Sequence, residues 1–600
     1  MFQRKKLVYA LIAAGMASGV LLGESGTAND DTVTEATVGL ANPLCVPADP
    51  KARQSKAFFK IAEAKNELRP FVQTEAIAEK NDETILFENL GTLHYRITTQ
   101  DPLAQKFFDQ GLRLTYAFNH AEARRAFRKA QELDSQCAMC YWGEALVLGP
   151  NINAPMEASA TAPALAAVQK AQALASKASP SEQALIDALA VRYSDDANAE
   201  RAQLDAAYAD AMKRVHTRFP KDSEIALLYA ESLMDLSPWD YWEAGGAKPK
   251  GATSEIIAAL ERMLKANPDH PGAIHYYIHM VEASSNPKRA EPYARRLAKA
   301  MPGAGHVVHM PFHIFYRIGK YRDALEANRM AVAVDEAYIS RAAPAGIYPQ
   351  AYYPHNVHSL MASAQMAGDG KTAIAAAEKL SQIVSSDAAR EIPWVQPIMA
   401  APYFAHAQFS APATVLALPD PGDDFPFVKA AWHYARGVAY AALGAVPGAE
   451  QQAQAIMRLR EDEAVSKLAS MGIPAADVLK LAAHIVSARI AQASGDLKTA
   501  ISEFEQAVAI QDGLAYSEPA YWYYPVRQSL GAMLALAGDF DRAEQTLRLS
   551  LARNPNNGWA LYGLKEVYKK RGDARGAREI EKLLAKAWVG QRENLDLARL

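Results

Sequence analysis

A pattern of small residues, a glycine-centred turn and a closing proline recurs about every 34 residues from Asp101 onward, and it constrains the fold more than any other feature. Near the C-terminus the pattern is Gly531, Leu534, Gly538, Phe540, Ala543 and Pro555, preceded by Gly495, Leu497, Ala500, Phe504 and Ala507. Gly437, Tyr440, Gly444 and Ala449 give another unit, as do Gly319, Tyr321 and Ala324, and Gly111, Ala123, Phe127 and Ala130. Small residues let two antiparallel helices approach, the glycine and the following aromatic make the turn, and proline ends the second helix. A single pair cannot bury its apolar face, so pairs must stack. At 600 residues the chain exceeds one ordinary core, while 50% hydrophobic residues can supply a core along its whole length. The expectation is an all-α solenoid of roughly eight to ten helix pairs.

This arrangement resembles the tetratricopeptide repeat (TPR) family over most of residues 100–590. The strings Phe118-Asn-His-Ala-Glu-Ala123, Cys137-Ala-Met-Cys-Tyr-Trp-Gly-Glu-Ala145, Gly149-Pro-Asn-Ile-Asn153, His306-Val-Val-His-Met-Pro-Phe-His313 and Asn557-Gly-Trp-Ala-Leu561 narrow it. They resemble a bacterial family of exported, histidine-rich TPR proteins, over nearly the whole mature chain. The resemblance implies the fold and a concave groove lined by first helices, where ligands bind; it supplies no reaction and no catalytic roles.

The chain divides as follows. Arg4, Lys5 and Lys6 precede an apolar stretch from Leu7 to Leu22, and small residues lead to Ala28; residues 1–28 read as a secretion signal. A polar segment spans 29–95, with helix expected between Lys51 and Lys80. An N-terminal array covers 96–390, interrupted by an insertion from Ile339 to Tyr353. Residues 391–427 carry Pro393, Pro397, Pro402, Pro412, Pro419, Pro421 and Pro426, which should break regular helix. A C-terminal array covers 428–600. The expected location is periplasmic or secreted, with no membrane span once the signal is removed. A net charge of −3 without a basic stripe argues against nucleic-acid binding.

Eight of the fourteen histidines lie between His270 and His358, where even scatter would place about two. Pro268 and Pro302, 34 residues apart, fix the register without reference to them. In that frame His275 shares a slot with His309, His279 with His313, and Gly272 with His306. Beyond the fifteen-residue insertion, Gly368 and Ala373 set the frame, so that His355 matches His306, His358 matches His309, and Ala362 stands where His279 and His313 stood. Spacings of three, four or seven residues put each set on one helix face. Seven histidines in register suit a transition metal (Zn, Cu, Ni or Fe) better than Ca or Mg. Glu282, on the same face as His279, is a candidate to ligate, to orient an imidazole or to act as a base. Pro311 would kink the helix between His309 and His313, and a helix starting there would leave His306 and His309 on a loop.

Trp242, Tyr352, Tyr353 and Asn356 are candidate ligand-binding residues, because aromatic groups cluster beside the histidine units. The segment Glu518-Pro-Ala-Tyr-Trp-Tyr-Tyr-Pro-Val-Arg-Gln528 offers Glu518, Arg527 and Gln528 among rings. Cys137 and Cys140 are read as buried thiols, a disulfide, or a metal or redox pair. Three functions stay open: a scaffold binding a peptide, protein or small molecule through a His-rich metal site; a metalloenzyme using Glu282 or a tyrosine for proton transfer; and a metal-free adaptor. No nucleophile elbow, phosphate loop, dinucleotide fingerprint or H-E-x-x-H motif is present.

Overall fold

The computed structural model describes residues 84–196 and 198–600; the signal segment, Cys45 and the helix expected between Lys51 and Lys80 lie outside them. The described residues belong to one compact unit. They run as successive helices from Pro102–Tyr116 to Ala574–Ala587. Among them the β-type pairings are two isolated bridges, Asn151 with Ala154 and Trp242 with Pro249. The fold is the expected all-α solenoid of antiparallel pairs.

The repeated turn has a simple local chemistry. Gly368, Gly495, Gly538 and Gly572 close first helices at φ of 75°, 77°, 83° and 76°, a left-handed geometry that costs glycine nothing. The next residue is aspartate each time. Asp369, Asp496, Asp539 and Asp573 cap the second helices, their carboxylates accepting the backbone N–H of Thr372, Thr499, Arg542 and Gly576. The repeat glycines inside helices serve another purpose. A Cβ on Gly111 or Gly143 would lie 2.6 or 2.4 Å from the ring of Phe127, so the helices Pro102–Tyr116 and Ala138–Leu148 close onto that one buried ring from two sides.

Three expectations are modified. The proline-rich stretch is largely helical: Val395–Phe409 runs through Pro397 and Pro402, while Pro412 and Pro426 open the helices Pro412–Leu416 and Pro426–Ala442. Proline in a first turn forfeits no helical hydrogen bond. At the interior Pro402, the buried neighbours Ala401, Phe404 and Ala405 compensate by packing. The stretch is thus built into the compact unit. Next, the insertion begins as an extension of helix Tyr321–Ala342, turns at Ala343 with φ 44°, and re-enters helix through a wide turn over Tyr348–Tyr352. Last, Pro311 bends its helix without unravelling it. Gly305–His309 and Pro311–Arg317 are joined by Met310 at φ −51°, ψ −35°, and the Met310 N–H still donates to the His306 carbonyl at 3.2 Å. His306 and His309 therefore stay on helix. No helix among the described residues is long and apolar enough to cross a membrane.

Candidate metal centre

The histidine slots of the repeat converge, but on two points. His275 and His279, one turn apart on helix Pro271–Glu282, bring their Nε2 atoms to 3.1 Å. His309 and His313 repeat this at 2.9 Å. Each pair gains a third imidazole from the following unit. His306 joins the first, and His355 joins the second with its Nε2 3.2 Å from that of His309. Within each triad the ligand atoms lie within 4.8 Å of one another. His306 follows His275 by 31 residues and His355 follows His309 by 46; the difference is the fifteen-residue insertion. The triads are successive copies of one device, two groups from one first helix and one from the next. His358 occupies the corresponding slot in the third unit, but Ala362 replaces its partner. Its Nε2 instead meets the Tyr523 hydroxyl at 2.7 Å, so His358 stands outside both triads.

The hydrogen bonds fix the tautomers. His275 Nδ1 lies 2.6 Å from the Tyr116 carbonyl, which can only accept, so that nitrogen carries the hydrogen. His309 Nδ1 lies 2.7 Å from Asn328 Oδ1; the Asn328 amide nitrogen donates to the Ala324 carbonyl and Ser363 Oγ, which fixes its orientation. Glu282 serves one histidine of each triad: Oε1 is hydrogen-bonded to His279 Nδ1 at 2.8 Å, and Oε2 lies 2.8 Å from His313 Nδ1 as an ion-pair contact. Tyr516 donates to Oε2 at 3.0 Å. Both carboxylate oxygens are committed, so Glu282 orients imidazoles and is not placed to ligate or to act as a base. The same carboxylate explains the local titration. Burial alone would raise Glu282, but the charges and hydrogen bonds of His313 and His279 hold it well below the ordinary carboxylate range.

Neutral imidazoles held in this way point Nε2 lone pairs at one another about 3 Å apart. Burial, reinforced by neighbouring histidines, pushes His275, His306, His309 and His355 well below the ordinary histidine value. Burial lowers His279 as well, against the pull of Glu282. A proton is therefore not the cation that relieves the first triad. At His313 the burial effect is outweighed by Glu282, which raises it, so a proton there is the rival occupant of the second triad. The geometry fits a metal: nitrogen ligands at 2.0–2.1 Å in a tetrahedral shell sit about 3.3 Å apart. His306 adds a separate signal. It is 2% exposed, neither ring nitrogen has a hydrogen-bond partner, and its ring is wedged between Phe118 at 5.7 Å and Tyr352 at 4.9 Å. A buried unpartnered imidazole costs stability unless something binds it. The donor set is all nitrogen, and in His275, His279 and His309 the Nδ1 is held from behind by an oxygen acceptor, as in a transition-metal site with oriented ligands.

The first-helix face is not an open groove. Segment 514–525, from the C-terminal half, lies across it, and the remaining space is a cavity of about 80 Å³. His279, Glu282, His313, His355 and His358 line one side of it; Trp239, Trp394, Ile398, Tyr516, Glu518 and Tyr523 line others.

Residues 534–587, covering the helices Phe540–Arg553, Gly558–Lys570 and Ala574–Ala587, match the tetratricopeptide repeat family. That segment carries a tetratricopeptide repeat, and the described residues share the all-α solenoid fold of such repeats. No curated protein matches it. Among solved structures it is similar to the human IFIT1 dimer with PPP-AAAA, at 15% identity over 79% of this chain and 88% of that one, with a TM-score of 0.30. The Cut9–Hcn1 hetero-tetramer of APC/C gives 13%, 82%, 74% and 0.27. Yeast Tom70 gives 12%, 83%, 95% and 0.25. Overlaps this loose carry no argument about function.

The other candidate residues scatter. Trp242 donates its indole N–H to the Met280 carbonyl at 2.7 Å, away from the cavity. Tyr353 donates to Glu336 at 3.0 Å, and Asn356 to Asp335 at 2.7 Å. Tyr352 does reach the cluster, edge-on to His306. Of Glu518, Arg527 and Gln528, Glu518 lines the cavity; Arg527 pairs with Asp512, and Gln528 accepts from Asn557 at 2.9 Å. Cys137 and Cys140 form a disulfide in the first turn of helix Ala138–Leu148, far in sequence from the histidines. Tyr116 and Asn328 act through a backbone carbonyl and a second-helix amide and leave no signal in the sequence, whereas Trp239, whose ring lies 5.0 Å from His279, stands in the aromatic segment 233–242.

Proposed function

We propose that this protein is an exported TPR scaffold that holds transition-metal ions in two repeat-related histidine triads, His275–His279–His306 and His309–His313–His355. The observation that carries the reading is the pair of facing Nε2 atoms in each triad, with the opposite nitrogens of His275, His279 and His309 hydrogen-bonded to oxygen acceptors and that of His313 beside the Glu282 carboxylate. That arrangement repels itself without a cation and suits Zn, Cu, Ni or Fe with it. Such an ion, when bound, supplies Lewis-acid or redox chemistry. The protein's own part is to fix the tautomers of His275, His279 and His309 through their Nδ1 acceptors and to keep bulk water from the six imidazoles. Export rests on the basic, apolar and small-residue order of residues 1–28.

Elemental analysis of protein purified without chelators tests this, with up to two transition-metal ions per chain expected. His309→Ala or His313→Ala should remove one, and His275→Ala combined with His309→Ala should remove both. Changes at His216 or His484, outside the cluster, should leave the content unaltered. Protein that carries no transition metal and takes none up on dialysis would overturn the reading in favour of a metal-free adaptor. The metalloenzyme alternative is favoured by one observation, the cavity beside the second triad. In it Glu282 is a positioning residue, and the proton-transfer role falls to other groups.

A further inference from the structure

The two triads are alike in their ligands but not in what surrounds them. Of the first, His279 alone reaches the cavity wall; His275 and His306 are shut in by Phe118, whose ring lies 4.5 and 5.7 Å from theirs, and by Tyr352. Of the second, both His313 and His355 line the cavity. Three imidazoles leave a fourth tetrahedral position open. On this geometry the second triad turns that position toward the cavity, while the first faces packed aromatic side chains.

We propose, resting on the metal reading above, that the cavity is a binding site for a small Lewis base, an anion or its neutral conjugate acid of about three or four heavy atoms, which completes the coordination of an ion held by His309, His313 and His355, with Glu518 as its hydrogen-bonding partner. Size sets the class. A cavity of about 80 Å³ is roughly half the ~150 Å³ that admits a benzene ring, so neither an aromatic substrate nor a peptide side chain of that size fits. Polarity sets the rest. The walls from Trp239, Trp394, Pro397, Ile398 and Ile473 are largely apolar, and Glu518 lines the cavity beside them with one carboxylate oxygen, Oε2, buried and without a hydrogen-bond partner. Two other polar groups nearby are taken: the oxygens of Glu282 by His279, His313 and Tyr516, and the Tyr523 hydroxyl by His358. Tyr516, Ser517, Glu518, Ala520 and Tyr521 are partly exposed, so this rim is the way in.

The test uses full-length mature protein loaded with Co(II), titrated with azide and followed by visible absorption. The wild-type protein should bind two cobalt ions, one of which responds to azide. His275→Ala protein, with its remaining ion in the second triad, should respond as wild type does. His355→Ala protein, with its remaining ion in the first, should be silent. Glu518→Ala should weaken azide binding tenfold or more at unchanged cobalt content, and Glu518→Gln, which keeps a donor, should restore most of it. Ala520→Trp, at the rim and touching no ligand, should block azide in a protein whose circular dichroism and cobalt content are normal. Cobalt bound with no azide response, a response retained in His355→Ala, or azide affinity indifferent to both Glu518→Ala and Ala520→Trp would overturn this proposal and leave the metal site standing. Failure to bind cobalt would overturn both.

Discussion

At the scale of single residues, His306 and Glu282 carry the sharpest consequences. His306 is buried with both nitrogens unpartnered, a burden of about 1–3 kcal/mol that a bound ion would relieve. His306→Leu should therefore raise the melting temperature of metal-free protein while lowering its metal content by one ion; a lower melting temperature for the metal-free variant would contradict the assignment. Glu282→Gln keeps the shape but cannot accept from both His279 and His313. Loss of such an outer partner typically costs 10–100-fold in metal affinity, so competition with a chromogenic chelator should show weakening at both triads together. His358 gives a pH prediction. Burial lowers it to about 3, against about 6.5 in the unfolded chain. The unfolded state thus binds the extra proton first, and the stability is fully present above about 6.5 and lost as pH falls toward the folded value. By pH 5 this amounts to about 2 kcal/mol. Chemical denaturation of wild type between pH 7.5 and 5 should show at least that loss, the buried His275, His306, His309 and His355 adding to it with the same sign. His358→Gln should reduce the loss by about the His358 share alone.

Among helices and turns, the repeat was legible because its chemistry is local. The Gly-x-aromatic signal becomes a left-handed glycine, a capping aspartate and the first helical residue, three neighbours that need nothing from elsewhere. Gly143 shows the other use of the motif. Its missing Cβ would sit 2.4 Å from Phe127, so Gly143→Ala should overpack the interface and destabilise by about 1–3 kcal/mol. Gly444 has open space around it and only its φ of 69° to defend, so Gly444→Ala should cost about 1 kcal/mol. Urea denaturation of the two variants gives the comparison, and equal losses would mean that conformation rather than packing selects these glycines. The proline-rich stretch shows where local reading fails. Proline count foretold a break over 391–427, but position within the helix decides the cost. Pro412 and Pro426 sit where no donor was needed, and the interior Pro402 is held by buried neighbours.

For the molecule as a whole, ions bound to the native state alone should stabilise it by mass action, about 2.7 kcal/mol at a free concentration one hundred times the dissociation constant. Thermal scans with and without a strong chelator should differ accordingly, and the difference should vanish when His275 and His309 are both replaced by alanine. If the signal reading holds, mature protein begins after Ala28 and fractionates with the periplasm; full-length protein in the cytosol would refute it.

The sequence by itself determined the helix pairs, their register and the slots in which the histidines stand, since each depends on periodicity and on contacts a few residues apart. It also placed His275 with His309 and His279 with His313, because a repeat carries equivalent positions to equivalent places. Only the tertiary structure decided that these slots make two triads rather than one site, that His358 is left out, and that the groove is closed. Those outcomes rest on the carbonyl of Tyr116, the ring of Phe118 and segment 514–525, all more than 150 residues from the groups they touch. No period in the chain encodes such meetings. They follow from how far the solenoid turns before its two halves pack together, which is a property of the whole stack and not of any one repeat.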